Sequence, residues 1–328
     1  MANNHSVESQ LVPKVSVVLC TYNGEEYLSE QIDSLLSQTY PIYEIVVQDD
    51  GSEDRTWEII ESYKHSYPSL FKIFKNKTNL YFNQNFYSAI LKTTGDLIVL
   101  CDQDDIWLPN KIQYQVDTIG NDLITVCSSY YWKKDTLAPL ISQDGTLARA
   151  LLIPLHYGHQ MMMRSEIKSW IHIGVNADIA HDRFLTIVGE YLGSLHTSPE
   201  ILVKWRRHAN TTTGELKTDR TSGKKKIILC LKALIIGRKS PVITQACNKF
   251  YLVLHDLNTS SGVHPSGKKL EHLMRLLRDQ TLFDYIKASL IIASCRKDIF
   301  GAPRISISDL YHDLTYVYRW WFIHQYNL

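Results

Sequence analysis

Two acidic clusters, each at the end of an apolar run, hold the residues of this 328-residue chain that are best suited to do chemistry. Residues 102–105 (DQDD) follow the run at 96–101, and residues 49–52 (DDGS) follow the run at 42–47. Carboxylates packed this closely repel one another unless something positive neutralises them. Oxygen ligands favour Mg²⁺ or Mn²⁺, and such an ion can bridge a diphosphate and offset charge that develops on it.

Each acidic cluster also has a purely structural interpretation. Residues 102–105 could cap the first turn of a helix and face its dipole, and residues 49–52 could form a type I turn with an Asx cap. The occurrence of both acidic turns at successive strand ends of one unit favours a shared metal and ligand site.

Strands alternate with helices across the first part of the sequence, and this order decides where the acidic clusters lie. Apolar runs predict four strands, at 14–20, 42–47, 71–74 and 96–101. The alternation indicates an α/β fold, a mostly parallel sheet flanked by helices, in which ligands bind beyond the carboxyl ends of the strands. The polar turns that begin at Thr21, Asp49 and Asp102 should therefore converge on one crevice.

The pattern becomes less regular after residue 130. Residues 132–154 look irregular, whereas 159–163 predict a strand, 180–188 a helix and 201–206 another strand. Further on, Leu270, Leu273 and Leu277 recur at helical spacing.

The overall charge of +1 conceals two oppositely charged parts. Residues 1–214 carry 17 Lys and Arg against 25 Asp and Glu (net −8), and residues 215–328 carry 18 against 9 (net +9). We therefore predict a catalytic domain at 1–214 and a basic, mainly helical region at 215–328, divided near the polar segment 211–214. The acidic part should hold a cation or a cationic site. The basic part could meet a membrane leaflet or nucleic acid, or could simply be solvated.

Several functional classes lack their signatures. The six scattered cysteines form no C-x-x-C pair and signal neither a zinc site nor disulfides. The polar residues 1–10 do not read as a secretory signal, and no apolar run reaches the ~20 residues of a spanning helix, so we expect a cytoplasmic protein. G-x-G-x-x-G, G-x-x-x-x-G-K and G-x-S-x-G motifs are missing, which argues against dehydrogenases, P-loop enzymes and the usual hydrolases.

The order of these motifs resembles glycosyltransferase family 2, a group of inverting transferases with the GT-A fold. Residues 15–23 (VSVVLCTYN) look like the family's opening strand and nucleotide-contacting turn, and residues 48–52 (QDDGS) like its D-D-x-S element. Residues 100–107 (LCDQDDIW) are similar to its D-x-D metal motif, in a form common among bacterial polysaccharide enzymes. The resemblance covers roughly residues 14–214, and the pair at 181–182 (HD) resembles that of rhamnosyltransferase-like members.

The resemblance implies a role for each matching residue. The donor would be bound by Thr21, Tyr22, Asn23, Asp49, Asp50, Asn85, Asp102, Gln103 and Arg206. The cofactor, Mg²⁺ or Mn²⁺, would be held by Asp102, Asp104 and His208. His159 and His181 would lie on the acceptor side, and Asp182 would be the catalytic base. One position departs from the family, because Tyr81 stands where related sequences usually have glycine.

These roles imply a single displacement on a nucleotide-diphosphate sugar donor. Asp182 would take the proton from an acceptor hydroxyl as that oxygen attacks the anomeric carbon, so that the configuration inverts. The acceptor would be a saccharide or a lipid-linked saccharide, with rhamnose as one candidate donor sugar. A lipid-linked acceptor would bring the basic region to the inner membrane surface.

Three alternatives remain open. A catalytically silent member of the fold would bind a nucleotide sugar or a partner without transfer, although the presence of Asp104 and Asp182 argues against it. A nucleotidyltransferase would normally show a glycine-rich phosphate loop near the first strand. Nucleic-acid binding would call for aromatic residues interleaved with lysines, whereas the aromatics of the basic region collect at 318–322. We therefore expect no nucleic-acid partner.

Overall fold

A nine-stranded sheet with helices on both faces organises the described part of the computed structural model, which comprises residues 12–208, 241–262, 264, 266–279 and 281–301. The strands are β1 Val15–Thr21, β2 Ile42–Asp49, β3 Phe71–Lys75, β4 Leu97–Cys101, β5 Ile106–Trp107, β6 Ile124–Lys133, β7 Thr136–Leu140, β8 Met161–Arg164 and β9 Leu195–Arg206. The helices are α1 Leu28–Leu36, α2 Thr56–Ser66, α3 Tyr81–Lys92, α4 Lys111–Thr118, α5 Leu147–Leu152, α6 Ile171–Ala177, α7 His181–Leu192, α8 Pro241–Ser260, α9 Gly267–Asp279, α10 Leu282–Ser294 and α11 Arg296–Phe300.

The first four strands are parallel and lie in the order β3-β2-β1-β4. Their carboxyl ends therefore meet at one edge of the sheet, where the acidic turns follow. Beyond β4 the sheet is mixed, because β8 runs antiparallel to both β4 and β6, and β9 is parallel to β6. The predicted parallel arrangement is confirmed for β1 to β4, and the second half of the sheet adds antiparallel pairs to it.

Both faces of β1 are buried, which explains why its sequence is apolar without alternation. On one face, Val17 and Leu19 belong to a cluster with Leu28 and Ile32 of α1. On the other face, Val18 belongs to a cluster that includes side chains of α3, α7 and the C-terminal helices. The two covered faces hold the strand ends at fixed positions relative to one another.

Two expectations about the middle of the chain were wrong. Residues 132–154 are not irregular, because β7 pairs with β6 as an antiparallel hairpin and α5 follows with Thr146 as its N-cap. His159 lies in a 3₁₀ turn at Gly158–Gln160 and not in a strand, which begins only at Met161. Strand β7 is mostly exposed and contains Pro139, and α5 is shorter than two helical turns, so neither shows a clear apolar pattern in the sequence.

The C-terminal helices pack on the same core as the sheet. Leu254 of α8 and Leu273 of α9 belong to the cluster that contains Leu100 of β4. The predicted helical spacing is confirmed, since Leu270, Leu273 and Leu277 are all buried. Within the described ranges, no helix combines the length and hydropathy needed to cross a bilayer. The predicted boundary at 211–214, the lysines at 224–226 and the aromatics at 318–322 lie outside the described residues, so the two-part division stays a prediction.

A buried carboxylate ties the first three strands together at the opposite edge from the acidic turns. Glu44 of β2 is 1% exposed and accepts hydrogen bonds from Ser16 Oγ (2.6 Å) and Thr94 Oγ1 (3.0 Å), and it pairs with Lys72. Burial alone would raise the pKa of Glu44, but the Lys72 contact and the hydrogen bonds from Ser16 and Thr94 outweigh it and lower the pKa below its usual value.

Replacement of Glu44 by Gln should therefore destabilise the protein in a pH-dependent way. At neutral pH we expect a loss of about 1.5–3 kcal/mol, the usual worth of hydrogen bonds to a charged group. A lowered folded-state pKa gives stability that is present above the unfolded value of about 4.3 and is lost as pH falls through the folded value. Urea unfolding of wild type and Glu44→Gln between pH 7 and 3 measures the difference in the free energy of unfolding. This difference should shrink only at the acid end of the range.

A matched control is Glu58→Gln, because Glu58 pairs with Arg55 in a fully solvated setting, where the side chains are 70% and 77% exposed. Such a pair contributes roughly 0–1 kcal/mol. A loss for Glu44→Gln that is the same at every pH would contradict the assignment.

Candidate functional site

The turns after β1 and β2 are locked to each other. Thr21 Oγ1 donates to Asp49 Oδ1 at 2.8 Å, and Asp50 N donates to Thr21 O at 2.8 Å. Asp49 is fully buried and also accepts from Ser52 N (2.9 Å) and Ser52 Oγ (2.5 Å). Asp49 therefore holds the turns after β1 and β2 together, and its role in donor binding stays a prediction.

Asp50 connects the end of β2 to the loop after β3. Its Oδ1 accepts from Asn76 Nδ2 and from Leu80 N, both at 2.7 Å. Asn76 also donates to Asn85 Oδ1 at 2.8 Å, and Asn85 Nδ2 donates to Gln48 O at 2.9 Å. Asn85 is buried and bonds to both Asn76 and Gln48, so it holds the segments on either side of Asp50 in place.

Gln103 joins the acidic turn after β4 to the turn after β1. Its Oε1 accepts from Tyr22 N at 2.8 Å, and its Nε2 donates to Tyr22 O at 3.0 Å. Asn23 has a left-handed backbone (φ +46°) and accepts from Glu53 N at 2.9 Å, while Asn23 N donates to Ser52 Oγ at 2.9 Å. The three polar turns therefore meet, as predicted from their places at the strand ends.

Three side chains of the kinds that bind metal ions come together where β4 ends, beside the turn that precedes β8. Asp102, Asp105 and His159 have ligand atoms within 4.8 Å of one another. His159 Nδ1 lies 3.7 Å from Asp102 Oδ2 and 3.8 Å from Asp105 Oδ2. Asp105 is fully buried, and its Oδ2 has no hydrogen-bond partner among the described residues.

A second pair of potential ligands joins the acidic turn to the end of β9. His208 Nε2 lies 2.7 Å from Asp104 Oδ2, and both side chains are largely buried. Arg206 anchors the same turn, since its backbone N donates to Asp105 Oδ1 (2.9 Å) and its Nε donates to Asp104 O (2.8 Å). The Arg206 guanidinium also pairs with Glu30. These contacts hold the acidic turn in place, and binding of the sugar donor by Arg206 stays a prediction.

The electrostatics of this turn fit a bound cation. Burial, and then the Asp102 carboxylate, raise the pKa of Asp104, and the His208 imidazole lowers it. Burial, followed by Asp104 and Asp102, raises the pKa of Asp105 well above its usual range. The buried Oδ2 atom of Asp105 and the crowding of three carboxylates are features that a divalent ion would relieve. Carboxylate oxygens with an imidazole nitrogen are a donor set that Mn²⁺ accepts readily and that Mg²⁺ accepts through its oxygens.

His181, predicted for the acceptor side, and Asp182, the predicted base, are the first two residues of α7. The His181 ring stacks on Phe86 with centroids 4.1 Å apart, and burial lowers the pKa of His181, so it stays neutral at neutral pH. Asp182 is half-buried and its Oδ1 accepts from Arg183 N at 2.7 Å. The Asp182 carboxylate is therefore positioned by its own helix start and remains partly open to solvent.

The pKa values of two buried side chains respond to carboxylates from more than one turn. Burial raises the pKa of the Cys20 thiol, and the Asp102 and Asp50 carboxylates raise it further. The pKa of His181 is lowered mainly by burial, but Asp182 and Asp102 both act in the opposite direction. Asp102 therefore lies within electrostatic range of a group beside Asp50 and of a group beside Asp182.

The predicted ligands Asp104 and His208 lie side by side, and the predicted ligand Asp102 lies with Asp105 and His159, which are outside the predicted set. Which of these residues hold an ion stays a prediction. Asp105 was not among the predicted ligands, although it follows Asp104 directly. The position of Asp105 in the acidic cluster 102–105 already suggested a ligand. Its partner His159 lies 54 positions further along the chain and is brought beside it by the antiparallel strand β8.

Comparison with known proteins agrees with this architecture. The family described as "Glycosyl transferase family 2" matches residues 16–174. An uncharacterized glycosyltransferase of Haemophilus influenzae is 31% identical over 238 residues, which are 66% of this chain and 72% of that protein. The chain belongs to glycosyl transferase family 2.

Other relatives of this family 2 protein are matched over a smaller share of their length. An uncharacterized glycosyltransferase of Rickettsia prowazekii is 30% identical over 216 residues, 61% of this chain and 66% of that protein. The chain spans 59% of a Bacillus subtilis relative and 62% of mycobacterial ones. The crystal structure of S. aureus TarS 1–349 in complex with UDP-GlcNAc aligns with a TM-score of 0.51 at 17% identity, over 96% of this chain and 91% of that one. The predicted GT-A fold is thereby confirmed.

A close approach at Gly158 offers a test of the acceptor-side packing. A Cβ at this position would lie 2.8 Å from His181 Nε2, and the ring cannot retreat easily because it stacks on Phe86. We expect Gly158→Ala to destabilise the protein by about 1–3 kcal/mol through overpacking. Urea unfolding measures this loss.

The double variant Gly158→Ala with His181→Ala separates this clash from other effects. It should be less destabilised than the sum of the two single variants, because the smaller side chain removes the clash. Strictly additive losses would show that the two residues do not press on each other.

Proposed function

We propose that this family 2 protein is an inverting, metal-assisted glycosyltransferase that moves a sugar from a nucleoside diphosphate to a hydroxyl of a saccharide acceptor. The observation that carries the proposal is the position of the acidic turn 102–105. Gln103 bonds this turn to Tyr22, whose neighbour Thr21 accepts from Asp50 N. On the other side, His159 lies 3.7 Å from Asp102 and follows Gly158, which packs closely against His181, the neighbour of Asp182. A diphosphate could therefore lie at this turn with its nucleoside toward Asp50 and its sugar toward Asp182.

Asp182 is the proposed base. Its carboxylate is held by Arg183 N and remains partly solvent-exposed, so an acceptor hydroxyl can reach it. The hydroxyl oxygen would form the new bond to the anomeric carbon as its proton passes to Asp182, and the bond to the diphosphate oxygen would break on the opposite side. His181 is neutral at neutral pH and packs beside the base, which suits a supporting role.

The proposed cation would be held by residues of the 102–105 turn with His208 or His159 as nitrogen ligand. When bound, Mg²⁺ or Mn²⁺ would neutralise charge on the departing nucleoside diphosphate. Arg206 fixes this turn through its backbone N and its Nε, and so positions the carboxylates. Thr21 and Gln103 support the turns on the nucleotide side in the same way.

The principal test is release of nucleoside diphosphate from a panel of UDP-, GDP- and dTDP-sugars, including dTDP-rhamnose, with Mn²⁺ or Mg²⁺ and with saccharide or lipid-linked acceptors. Asp182→Asn should lower kcat by at least ~100-fold, the usual worth of a general base, and leave nucleotide binding intact. Asp104→Asn should lower both Mn²⁺ affinity and turnover. Nuclear magnetic resonance of the product anomer tests inversion.

Asp117→Asn is the matched control, because Asp117 is an exposed carboxylate of α4 that Gln113 contacts. It should behave as wild type. Nucleotide binding without any transfer would favour a catalytically silent member of the fold, and pyrophosphate release from a nucleoside triphosphate with a sugar phosphate would favour a nucleotidyltransferase. Full turnover by Asp182→Asn would remove the base assignment.

We further propose that the protein works at the cytoplasmic face of a membrane, where lipid-linked acceptors are found. Helix α10 exposes Phe283, Ile286 and Leu290 along one face, with exposed Lys287 beside them. Residues 215–328 carry a net charge of +9, which is complementary to anionic lipid. The competing interpretation is a packed helical region whose cationic side chains face only solvent.

Flotation with vesicles separates these two interpretations. Wild type should bind vesicles that contain phosphatidylglycerol better than pure phosphatidylcholine, and high salt should weaken the binding. Phe283→Ser with Leu290→Ser should reduce it, whereas Leu252→Ser on α8, also at an exposed leucine, should not. Wild-type protein that stays unbound with both lipids would exclude the membrane proposal.

A further inference from the structure

Tyr81 has a backbone conformation that tyrosine rarely adopts. Its φ is +62°, in the left-handed region that glycine adopts readily and residues with a side chain rarely adopt. Its own ring is 77% exposed and gains little packing in return. A bulky residue that is held in an unfavourable conformation without burial points to a use for the exposed ring.

Neighbouring side chains enforce this conformation. Asn79 Oδ1 accepts from Tyr81 N at 2.8 Å, and Asp50 Oδ1 accepts from Leu80 N at 2.7 Å. Two successive backbone N–H groups are thus held by two side chains, and Asn76 secures Asp50 in turn. The direction of the Tyr81 side chain is consequently coupled to the carboxylate of Asp50.

A second exposed tyrosine lies on the other flank of Asp50. Tyr22 follows β1, is 47% exposed and is fixed by the reciprocal hydrogen bonds with Gln103. Asp50 follows β2, and the segment that reaches Tyr81 follows β3. In the strand order β3-β2-β1, the turn that contains Asp50 therefore lies between the turn that contains Tyr22 and the segment that leads to Tyr81.

This arrangement suits a planar heterocycle with a ring N–H. Both described hydrogen bonds to Asp50 fall on Oδ1, so within the described part of the chain Oδ2 remains to accept from a ligand. Aromatic rings stack on nucleobases of any kind, and a carboxylate acceptor selects those with an N–H at the ring edge. Uracil, thymine and guanine carry such a group, whereas cytosine does not.

We propose that Tyr81 is a stacking surface for the nucleobase of the donor, a specificity residue on the flank of Asp50 opposite to Tyr22. The inference rests on the proposed function, since it assumes a nucleoside diphosphate in the cleft.

Isothermal titration with UDP, GDP, dTDP and CDP in the presence of Mn²⁺ tests the assignment. Wild type should bind at least one of the first three more tightly than CDP. Tyr81→Gly should weaken that nucleotide by roughly 5- to 150-fold, the range of measured base stacking, and Tyr81→Phe should stay within about threefold. Binding of inorganic pyrophosphate should be unchanged in every variant, because it has no base to stack.

Stability measurements exclude a trivial explanation. Tyr81→Gly should raise the thermal unfolding midpoint, because glycine tolerates the left-handed conformation, so its weaker binding cannot come from partial unfolding. Tyr81→Leu should lose nucleotide affinity, whereas Tyr43→Leu should not, since Tyr43 is an exposed tyrosine of β2 outside the cleft residues described above.

The outcomes separate this inference from the proposed function. If wild type binds one of the nucleotides and Tyr81→Gly binds it equally well, the stacking assignment is overturned while the proposed function stands. If pyrophosphate affinity falls in parallel with nucleotide affinity, the effect is not on the base and the assignment is also overturned. Wild-type protein that binds none of the four nucleotides overturns both.

Discussion

The mutual repulsion of three carboxylates at the end of one buried strand is the constraint around which this site is organised. Asp102, Asp104 and Asp105 follow β4, and burial makes each additional negative charge more costly. The chain compensates with contacts from a distant strand, because β9 ends where Arg206 donates to Asp104 and Asp105 and where His208 meets Asp104. The site therefore depends on the arrival of β9 beside the acidic turn.

This dependence explains the layout of the sheet. The turns after β1, β2 and β4 supply mainly acidic and amide groups. Because β8 runs antiparallel to β4, the 3₁₀ turn that precedes β8 brings His159 to the same end of the sheet. Strand β9 runs in the direction of β4, and its carboxyl end brings Arg206 and His208 there. The mixed half of the sheet thus supplies the nitrogen ligands and cationic groups that the parallel half lacks.

The sequence was sufficient to predict the parallel half and its polar turns. Strands such as β1 and β4 are buried on both faces, so their composition is apolar throughout and their ends are marked by Thr21 and Asp102. The same patterns do not mark β7, which is mostly exposed and contains a proline, or α5, which is shorter than two helical turns. They also could not group Asp105 with His159, because that contact depends on strand pairing across the sheet and leaves no trace in spacing along the chain.

The two aspartates at 49 and 50 illustrate how neighbouring identical residues divide the work. Successive side chains of an extended segment point in opposite directions, so one residue of the pair must face the interior of the turn when the other faces the cleft. Asp49 is the interior one, since it is fully buried and Thr21 and Ser52 donate to both oxygens of its carboxylate. Asp50 is held by the loop after β3 and keeps an oxygen for the cleft among the described contacts. One acid of the pair therefore fixes the turn, and the other is a candidate ligand contact. The sequence alone predicts the same donor-binding role for both.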